Sequence, residues 1–339
     1  MTLSGPNDIA AAAALLKAGG VVAFPTETVY GLGADARNAE AVRRVFKLKG
    51  RPEGNPLIVH VSDIAMAREC VSDWPQAAQA LAERFWPGPL TLVLPKAADI
   101  PAEVTAGAET VGVRCPDHPM ALELIRAFGG PIVGPSANRS GFVSPTTADH
   151  VRAGFAPSEV MILDGGPCKR GIESTVLSLA GDEPLVLRAG AIPAEDLTLD
   201  PATEGVGAMM ITPPYASLHD SRPAASRPPS PGQSPSHYAP RAPTVLFDAP
   251  DWPGLVVDVE GRVVVLTHDA TRHVNPPHVL ILMPEDADAY AAKLYAAVRQ
   301  ADAMNPALIA IERPREKRGL WFTILDRLTR MTYRGPRAE

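Results

Sequence analysis

A tight loop early in the chain brings cationic and amide side chains close together. The segment KGRPEGNP at residues 49–56 places glycine or proline between polar residues, which fixes the loop and gathers Lys49, Arg51 and Asn55. A lysine ammonium is a compact charge and an arginine guanidinium a planar fork, and this pair suits a polyphosphate. The chain has no GxxxxGK(S/T) motif, so a nucleotide would be held differently from one in a P-loop protein. The alternative is that these cations only complement the dipole of the preceding helix.

A single arginine interrupts an apolar run further along the chain. Arg114 falls in what reads as a buried strand, where a charge is costly without an anionic partner. That partner is either an internal carboxylate such as Glu173 or the carboxylate of a ligand held by two hydrogen bonds. The sequence favours neither over the other. Ser136, Asn138 and Ser144 follow in later turns, and their neutral polar groups suit a base or a ribose.

Two further polar clusters follow predicted strands. Residues 25–33, PTETVYGLG, put hydroxyls, a carboxylate and a phenol into what reads as a polar turn. Residues 31–36 match the dinucleotide fingerprint superficially, but no helix opens from them, so a nicotinamide site is disfavoured. Residues 171–175, GIEST, precede Arg188 at a strand end. A lone histidine at a strand end, here His60, is more often structural than a ligand. Covalent catalysis and a structural metal lack support, because the chain has neither a nucleophile elbow nor HExxH.

Strands and helices alternate through the first two hundred residues, and this pattern predicts an α/β fold. The last four predicted strands have little helix between them, so some pairing should be antiparallel. We expect a twisted mixed parallel and antiparallel sheet flanked by helices. The predicted strands are residues 21–24, 57–61, 90–94, 111–115, 131–133, 160–163, 175–179 and 185–187, and the predicted helices are one capped by Asn7 or Asp8 and ending at Ala18, then 39–48, 75–85 and 117–128.

A proline-rich segment divides the chain into two predicted domains. The 339 residues exceed what one hydrophobic core usually serves, and nine of the 36 prolines fall at residues 211–243. No apolar period survives there, so the segment reads as a semi-rigid linker. We predict a first domain at residues 1–208, a linker at 209–243 and a smaller Rossmann-like α/β domain at 244–339. The second domain is predicted to contain strands 245–247, 263–266, 279–283 and 308–312 and helices 286–303 and 319–332.

Composition argues against several classes of protein. A net charge of −6 and an aromatic content of 5% disfavour a protein that coats nucleic acid non-specifically. The three cysteines lie far apart with no CxxC motif, which indicates neither a disulfide framework nor a cysteine zinc site and fits a reducing cytoplasm. The longest apolar run, residues 9–16, is too short to cross a bilayer, and we expect a soluble cytoplasmic protein.

Six motifs in order and in register resemble those of the Sua5/YrdC/YciO family over about residues 8–200. They are PTETVYGLG, KGRPEGNPLIVHV, FWPGPLT, VGVRCPDHP, GPSANRSG and GIESTV. The second α/β unit, joined by SPG and HYAP, resembles the longer Sua5 type. The resemblance implies a YrdC-like fold and synthesis of L-threonylcarbamoyladenylate from L-threonine, bicarbonate or CO2, and ATP, with release of pyrophosphate. It further implies that this product serves the t6A modification at position 37 of ANN-decoding tRNAs.

The same resemblance implies roles for individual residues. Lys49 and Arg51 match the cations that carry the reaction. Tyr238 matches the residue that closes over the nucleotide, so the linker at 209–243 is expected to act as a lid over the active site. The positions that would bind ATP are Lys49, Arg51, Asn55, Thr110, Ser136, Asn138, Ser144, Arg188 and Tyr238. The positions that would bind threonine are Thr28, His60, Arg114, Gly134 and Ser174. The linker departs from the family pattern at residues 233–236, where QSPS replaces a methionine and an aromatic residue.

Cofactor and partners also follow from the resemblance. Mg²⁺ is expected with ATP, its protein ligands are left open, and no organic cofactor is expected. The product would pass to a t6A transferase complex, direct tRNA binding is left open, and no membrane is involved. The alternative is an RNA-binding or nucleotide-binding module of the same fold without synthase activity. A carbamoyl-transfer enzyme is disfavoured, because the accessory zinc-finger and acylphosphatase-like regions of such enzymes have no counterpart in the sequence.

Overall fold

The strands in the described part of this protein form two separate sheets, one before and one after the proline-rich segment. The computed structural model describes residues 4–181, 183–198, 238–252 and 259–332. Most of the predicted linker, including the divergent residues 233–236, lies outside the described residues. Its expected role as a lid therefore stays a prediction.

The larger sheet is mixed, as the spacing of its strands predicts. Its nine strands are β1 (Val22–Phe24), β2 (Gly31–Asp35), β3 (Ile58–His60), β4 (Leu90–Pro95), β5 (Thr110–Arg114), β6 (Ile132–Val133), β7 (Met161–Ile162), β8 (Thr175–Ser178) and β9 (Leu185–Arg188). Across the sheet they run in the order β7-β1-β2-β6-β3-β5-β4-β8-β9. Pairing is parallel for β1 with β7, β3 with β5 and β4 with β8, and antiparallel elsewhere.

Helices cover both faces of this sheet. They are α1 (Pro6–Lys17), α2 (Ala39–Lys49), α3 (Ile64–Glu69), α4 (Gln76–Phe85), α5 (Ala102–Thr105), α6 (Pro119–Phe128) and α7 (Ala148–Arg152). On β1, Val22 and Phe24 belong to the core formed with α1 and α6, whereas Ala23 belongs to the core on the opposite face, with α2 and α4. The period of two along a strand produces this split.

The ends of two helices test the predicted caps. Asn38 caps α2 as predicted, because its side chain accepts hydrogen bonds from the amides of Glu40 and Ala41. The cap predicted for α1 is wrong: Gly5 is the N-cap, and the Asp8 carboxylate accepts from the Gly5 amide at 2.8 Å. Asp8 therefore lies in the first turn of α1 and accepts this hydrogen bond from inside the helix. The short helices α3, α5 and α7 were not predicted, because each has too few residues to show an apolar period.

The strand β2 corrects the sequence-based prediction of a turn over its residues. Gly31 pairs with Phe24 on the antiparallel neighbour β1. A Cβ atom at Gly31 would lie 2.7 Å from Cζ of Phe24, and one at Gly33 would lie 3.1 Å from the same ring. These glycines therefore make room for a buried phenyl ring. Phosphate binding does not explain them, in keeping with the rejected dinucleotide motif.

The second sheet is parallel throughout and packs against the first unit. Its strands β10 (Thr244–Phe247), β11 (Val263–Thr267), β12 (Val279–Leu282) and β13 (Leu308–Glu312) run in the order β10-β13-β11-β12, with helices α8 (Ala287–Ala303) and α9 (Leu320–Met331). Tyr290 and Leu294 of α8 share one apolar core with Ile172 and Ala191 of the first unit. The two units thus form a continuous buried interface. None of the helices in the described part of the chain is long and apolar enough to span a membrane.

Candidate active site

A polar pocket opens where β3 and β5 end side by side. Because these strands are parallel and in register, His60 lies opposite Arg114 and both side chains reach the same pocket. The remaining walls come from loops of the first unit and from the linker residue Tyr238. The pocket is lined by Thr28, Val29, Arg51, Pro56, Leu57, Ile58, His60, Arg114, Gly134, Pro135, Ser136, Glu173, Ser174, Arg188 and Tyr238. Most of the residues predicted to bind ATP or threonine therefore meet in one place.

Arg114 has an internal carboxylate partner, but a different one from the residue that the sequence suggested. Its Nη2 lies 2.7 Å from Oε1 of Glu27, and both side chains are buried. Its Nε donates to the Gly88 carbonyl at 3.2 Å. Glu173, the suggested partner, is held by other groups. The expected internal carboxylate is thus present, but the sequence did not single out Glu27, because this residue sits on the loop before β2, a position that sequence order does not connect with β5.

His60 is a neutral, buried imidazole. Burial, with the positive charge of Arg114 beside it, lowers its pKa to about 3. Its Nδ1 has no hydrogen-bond partner among the described residues. The ring packs against the backbone of Gly134, where a Cβ atom would come within 2.5 Å of Nδ1. Gly134 therefore leaves the space that the imidazole occupies at the pocket wall.

Lys49 joins the two loops that the sequence singled out for nucleotide binding. Its Nζ donates to the main-chain carbonyls of Ser136 at 2.5 Å and Asn138 at 2.7 Å. Burial, followed by the nearby Arg51 charge, lowers the pKa of this amine well below its usual value. Lys49 lies behind the pocket wall. The Asn138 amide in turn holds its own loop, by donating to the carbonyls of Arg139 and Phe142 at 2.8 Å.

Arg51 faces the pocket from the same loop. Its Nε donates to the Asn55 carbonyl at 3.2 Å and its Nη2 to the Pro56 carbonyl at 3.0 Å. The loop thus closes on its own arginine, and Asn55 contributes its main-chain oxygen. Burial lowers the pKa of Arg51 to about 10, so the guanidinium is still charged at neutral pH.

Arg188 and Ser174 form another part of the pocket wall and are joined to each other by hydrogen bonds. The guanidinium donates to the Ser174 carbonyl through Nε at 3.1 Å and Nη2 at 2.9 Å, and Nη2 also lies 3.0 Å from Ser174 Oγ. Ser174 Oγ is 2.8 Å from Thr91 Oγ1, and Thr28 Oγ1 is 2.8 Å from Thr26 Oγ1. The hydroxyls at this side are therefore fixed by neighbours. Each fixed hydroxyl presents a defined polar group to a ligand.

Thr110 does not line the main pocket. It lines a smaller adjoining hollow, which shares Pro56, Leu57 and Ile58 with the main pocket. The other walls of the hollow are mostly aliphatic, with hydroxyl groups from threonines: Thr91, Val93, Thr105, Val111, Gly112 and Val176. Residues 56–58 therefore line both the main pocket and the hollow that contains Thr110.

The second unit supplies part of the site, which the sequence did not indicate. The Glu173 carboxylate accepts from Ser144 Oγ at 2.8 Å, from Tyr295 OH at 2.9 Å and from Arg327 Nε at 2.9 Å. Burial by itself would raise the pKa of Glu173, but the Arg327 and Arg188 charges bring it below its usual value. Ser144 is therefore engaged with a carboxylate. The amphipathic helices α8 and α9 gave no signal that two of their buried polar residues serve another domain.

Tyr238 covers the pocket from the side of the linker. Its ring is 1% exposed and stacks on Tyr295 with centroids 5.7 Å apart, while the Arg327 guanidinium lies 5.0 Å from its centre. The following residue, Ala239, donates its amide to the Gly141 carbonyl at 2.9 Å. The end of the linker is therefore anchored to both units. Tyr238 takes a positive φ of 65°, which few non-glycine residues adopt.

The charges at the site favour a strongly anionic ligand. Three buried arginines, Arg51, Arg114 and Arg188, line it, Lys49 lies buried behind its wall, and the neighbouring buried carboxylates are Glu27 and Glu173. Glu27 is paired with Arg114 and Glu173 with Arg327, whereas the partners of Lys49 and Arg51 in the described part of the chain are main-chain carbonyls. Buried charges of one sign are stable only with a ligand or solvent of the opposite sign. Guanidinium groups in such numbers suit phosphate and carboxylate oxygens.

Comparisons with known proteins find a match for each of the two units. A family model described as "Telomere recombination", Sua5_yciO_yrdC, matches residues 14–190, and a model described as "Threonylcarbamoyl-AMP synthase, C-terminal domain" matches residues 203–331. The chain is 48% identical over 241 residues to the threonylcarbamoyl-AMP synthase of Bacillus subtilis, which covers 71% of this chain and 66% of that protein.

A second relative matches along nearly its full length. The chain is 37% identical over 326 residues to the threonylcarbamoyl-AMP synthase of Pyrococcus abyssi, covering 94% of this chain and 92% of that protein. The crystal structure of P. abyssi Sua5 complexed with L-threonine superposes with a TM-score of 0.84 at 35% identity, covering 96% and 94% of the two chains. Since models for both units and a relative of nearly equal extent agree, the chain belongs to the Sua5/YrdC/YciO family in its longer, Sua5 form.

Proposed function

We propose that this protein is an L-threonylcarbamoyladenylate synthase that acts in t6A modification of ANN-decoding tRNAs. In this reaction L-threonine, bicarbonate and ATP give L-threonylcarbamoyladenylate, pyrophosphate and water. The observation that carries the proposal is the pocket itself, in which Arg114 and a neutral His60 lie beside Arg51 and Arg188. It offers one guanidinium for an amino-acid carboxylate and two for phosphates. The relatives named threonylcarbamoyl-AMP synthase support the same activity.

The threonine half of the site is assigned to the end of β5 and its neighbours. Arg114 would bind the carboxylate, and His60, Thr28 and Ser174 would surround the side chain. A neutral imidazole at His60 accepts or donates a hydrogen bond without adding charge, which suits a threonine hydroxyl. The related P. abyssi structure with L-threonine supports an amino-acid site of this kind.

The nucleotide half is assigned to the loops held by Lys49. Arg51 and Arg188 would contact the phosphates, while Ser136 and Asn138 would contact the ribose or base. Thr110 would border the nucleotide from the adjoining hollow, whose walls are mostly aliphatic. Tyr238 would then close over the bound nucleotide, in keeping with its buried position between the two units.

The chemistry asks mainly for position and charge. The neutral threonine amine attacks the carbon of CO2 formed from bicarbonate, a nitrogen–carbon bond forms, and the amine loses a proton. A carbamate oxygen then attacks the α-phosphorus of ATP, and the bond to the β-phosphate oxygen breaks as pyrophosphate leaves with its electron pair. The guanidinium groups of Arg51 and Arg188 would offset the charge that gathers on pyrophosphate. A buried site excludes water, which would hydrolyse the mixed anhydride.

Mg²⁺ would enter with ATP. This ion is usually held by phosphate oxygens, water and one or two carboxylates. The described residues contain no group of three or more His, Cys, Asp or Glu side chains that could hold a metal ion, and the two neighbouring carboxylates are paired with arginines. The described side chains therefore do not form a dedicated metal site, and we assign no step to the metal.

Pyrophosphate release tests the proposal. Release should require ATP, threonine and bicarbonate together, and it should fall sharply with serine or valine in place of threonine. Release that is independent of the amino acid would overturn the proposal. ATP binding without release would favour the alternative of a nucleotide-binding module, and salt-sensitive RNA binding without threonine would favour an RNA-binding one.

The variant Arg114→Ala tests the assignment of the threonine carboxylate. Loss of hydrogen bonds from a charged group should raise the threonine KM about 10- to 150-fold and leave ATP binding nearly unchanged. The matched variant Arg114→Lys keeps the charge and loses the planar fork, so we expect an intermediate threonine KM. Circular dichroism shows whether each variant folds. A folded Arg114→Ala variant with normal threonine KM would refute this assignment.

A further inference from the structure

A second cavity lies directly behind the Arg114 guanidinium. Its walls include Glu27 and Gly88, which are the ion-pair and hydrogen-bond partners of the Arg114 guanidinium, together with Asp117 and with Asp288, Ala289 and Ala292 of α8. Arg114 itself lines the candidate active site on the other side. The Glu27–Arg114 ion pair therefore forms part of the partition between the two cavities.

The contacts of Arg114 fix the direction of its guanidinium. The group is planar and carries five N–H donors in a rigid fork. Nε is taken by the Gly88 carbonyl and Nη2 lies beside the Glu27 carboxylate. No described residue accepts a hydrogen bond from Nη1. With one edge held from behind, the opposite edge of the guanidinium points into the candidate active site.

The Glu27 side chain forms no other ion pair among the described residues. It is 2% exposed, and apart from the ion pair neither of its carboxylate oxygens has a hydrogen-bond partner among the described residues. A buried carboxylate with one partner is costly, so a protein gains nothing in stability by keeping it for packing alone. We infer that Glu27 is a positioning residue, which aims Arg114 at the carboxylate of threonine. This inference rests on the proposed function, because it takes Arg114 to bind threonine.

The test compares Glu27→Gln and Glu27→Ala with the unchanged protein in pyrophosphate release. Loss of the charged partner should raise the threonine KM about 10- to 100-fold, while the ATP KM and kcat change by less than about threefold. Glu27→Gln keeps the shape of the side chain. If Glu27→Ala does not fold, the threonine KM of Glu27→Gln tests the inference. Asp117→Asn is the control, because this exposed carboxylate lines the same cavity and has no contact with Arg114.

Chemical rescue separates positioning from a purely structural role. Formate can enter the space that Glu27→Ala opens towards the second cavity, and it should lower the threonine KM again by restoring a carboxylate beside Arg114. Formate should do nothing for Glu27→Gln, in which the amide fills that space. Calorimetric titration with threonine should show the same pattern in affinity.

Three results would overturn the inference. They are a folded Glu27→Gln variant with normal threonine KM, a loss confined to kcat, and formate that only inhibits the Glu27→Ala variant. These results are distinct from a failure of the proposed function, which the unchanged protein reveals on its own as pyrophosphate release that does not need threonine.

Discussion

The second unit stabilises the site through Arg327, and replacing this residue by methionine tests that role. The Arg327 side chain is fully buried, its Nε lies 2.9 Å from the Glu173 carboxylate, and its Nη2 donates to the Ala189 carbonyl at 2.7 Å. Methionine has similar length without charge. In Arg327→Met the Glu173 carboxylate keeps its hydrogen bonds from Ser144 and Tyr295 and the nearby Arg188 charge, and it loses the cation that is paired with it directly.

The expected loss of unfolding free energy in Arg327→Met follows from the loss of this cation. Removing one partner of a buried ion pair costs about 3–5 kcal/mol of unfolding free energy, because the other charge is left uncompensated. Tyr295→Phe removes only a neutral donor to the same carboxylate and should cost about 1 kcal/mol. The lowered pKa of Glu173 also determines how the stability difference changes with pH. The lowered pKa of Glu173 stabilises the folded state above its unfolded pKa, and this stabilisation is lost as pH falls through the folded pKa. The deficit of Arg327→Met should therefore shrink on acidification.

Urea unfolding followed by circular dichroism measures these differences, with pyrophosphate release as a second readout. The control is Arg170→Ala, which removes an ion pair between the same two units. Arg170 and Asp288 lie 2.9 Å apart, but their side chains are 47% and 66% exposed. Exposed pairs contribute less than about 1 kcal/mol. An Arg327→Met variant within about 1 kcal/mol of the unchanged protein, or no more affected than Arg170→Ala, would refute the reasoning.

Two further predictions concern the buried packing around β1 and the pocket. Gly31→Ala should cost about 1–3 kcal/mol, because its Cβ would lie 2.7 Å from Cζ of Phe24; Gly54→Ala, with open space around it, is the control in the same urea experiment. For His60, the folded pKa of about 3 lies below the usual 6.5, so the unfolded chain binds more protons between these values and stability falls on acidification. The variant His60→Gln should therefore lose less stability between pH 7 and pH 4, by on the order of 3 kcal/mol, and parallel stability curves for the two proteins would contradict this.

Local signals in the sequence were sufficient for much of the fold. Asn38 caps α2 as predicted, because an N-cap depends only on amides two and three residues away. The spacing of strands without intervening helices correctly predicted a mixed sheet, since antiparallel neighbours need no long crossover. β2 was missed, because its glycines are the usual sign of a turn. The glycines of β2 are present because the Phe24 ring of the neighbouring strand β1 packs against them. This contact becomes visible only once β1 and β2 are paired.

The arrangement of the candidate site likewise depends partly on local sequence and partly on tertiary structure. The sequence by itself determined which residues meet in the loop of Lys49, Arg51 and Asn55, because glycine and proline restrict that backbone locally. Only the tertiary structure decided the partners of the buried charges. Arg114 pairs with Glu27, and Glu173 is held by groups 122 and 154 residues further along the chain. Ion pairing depends on distance in space and on burial, and neither is written in the order of residues until the two sheets have folded and packed together.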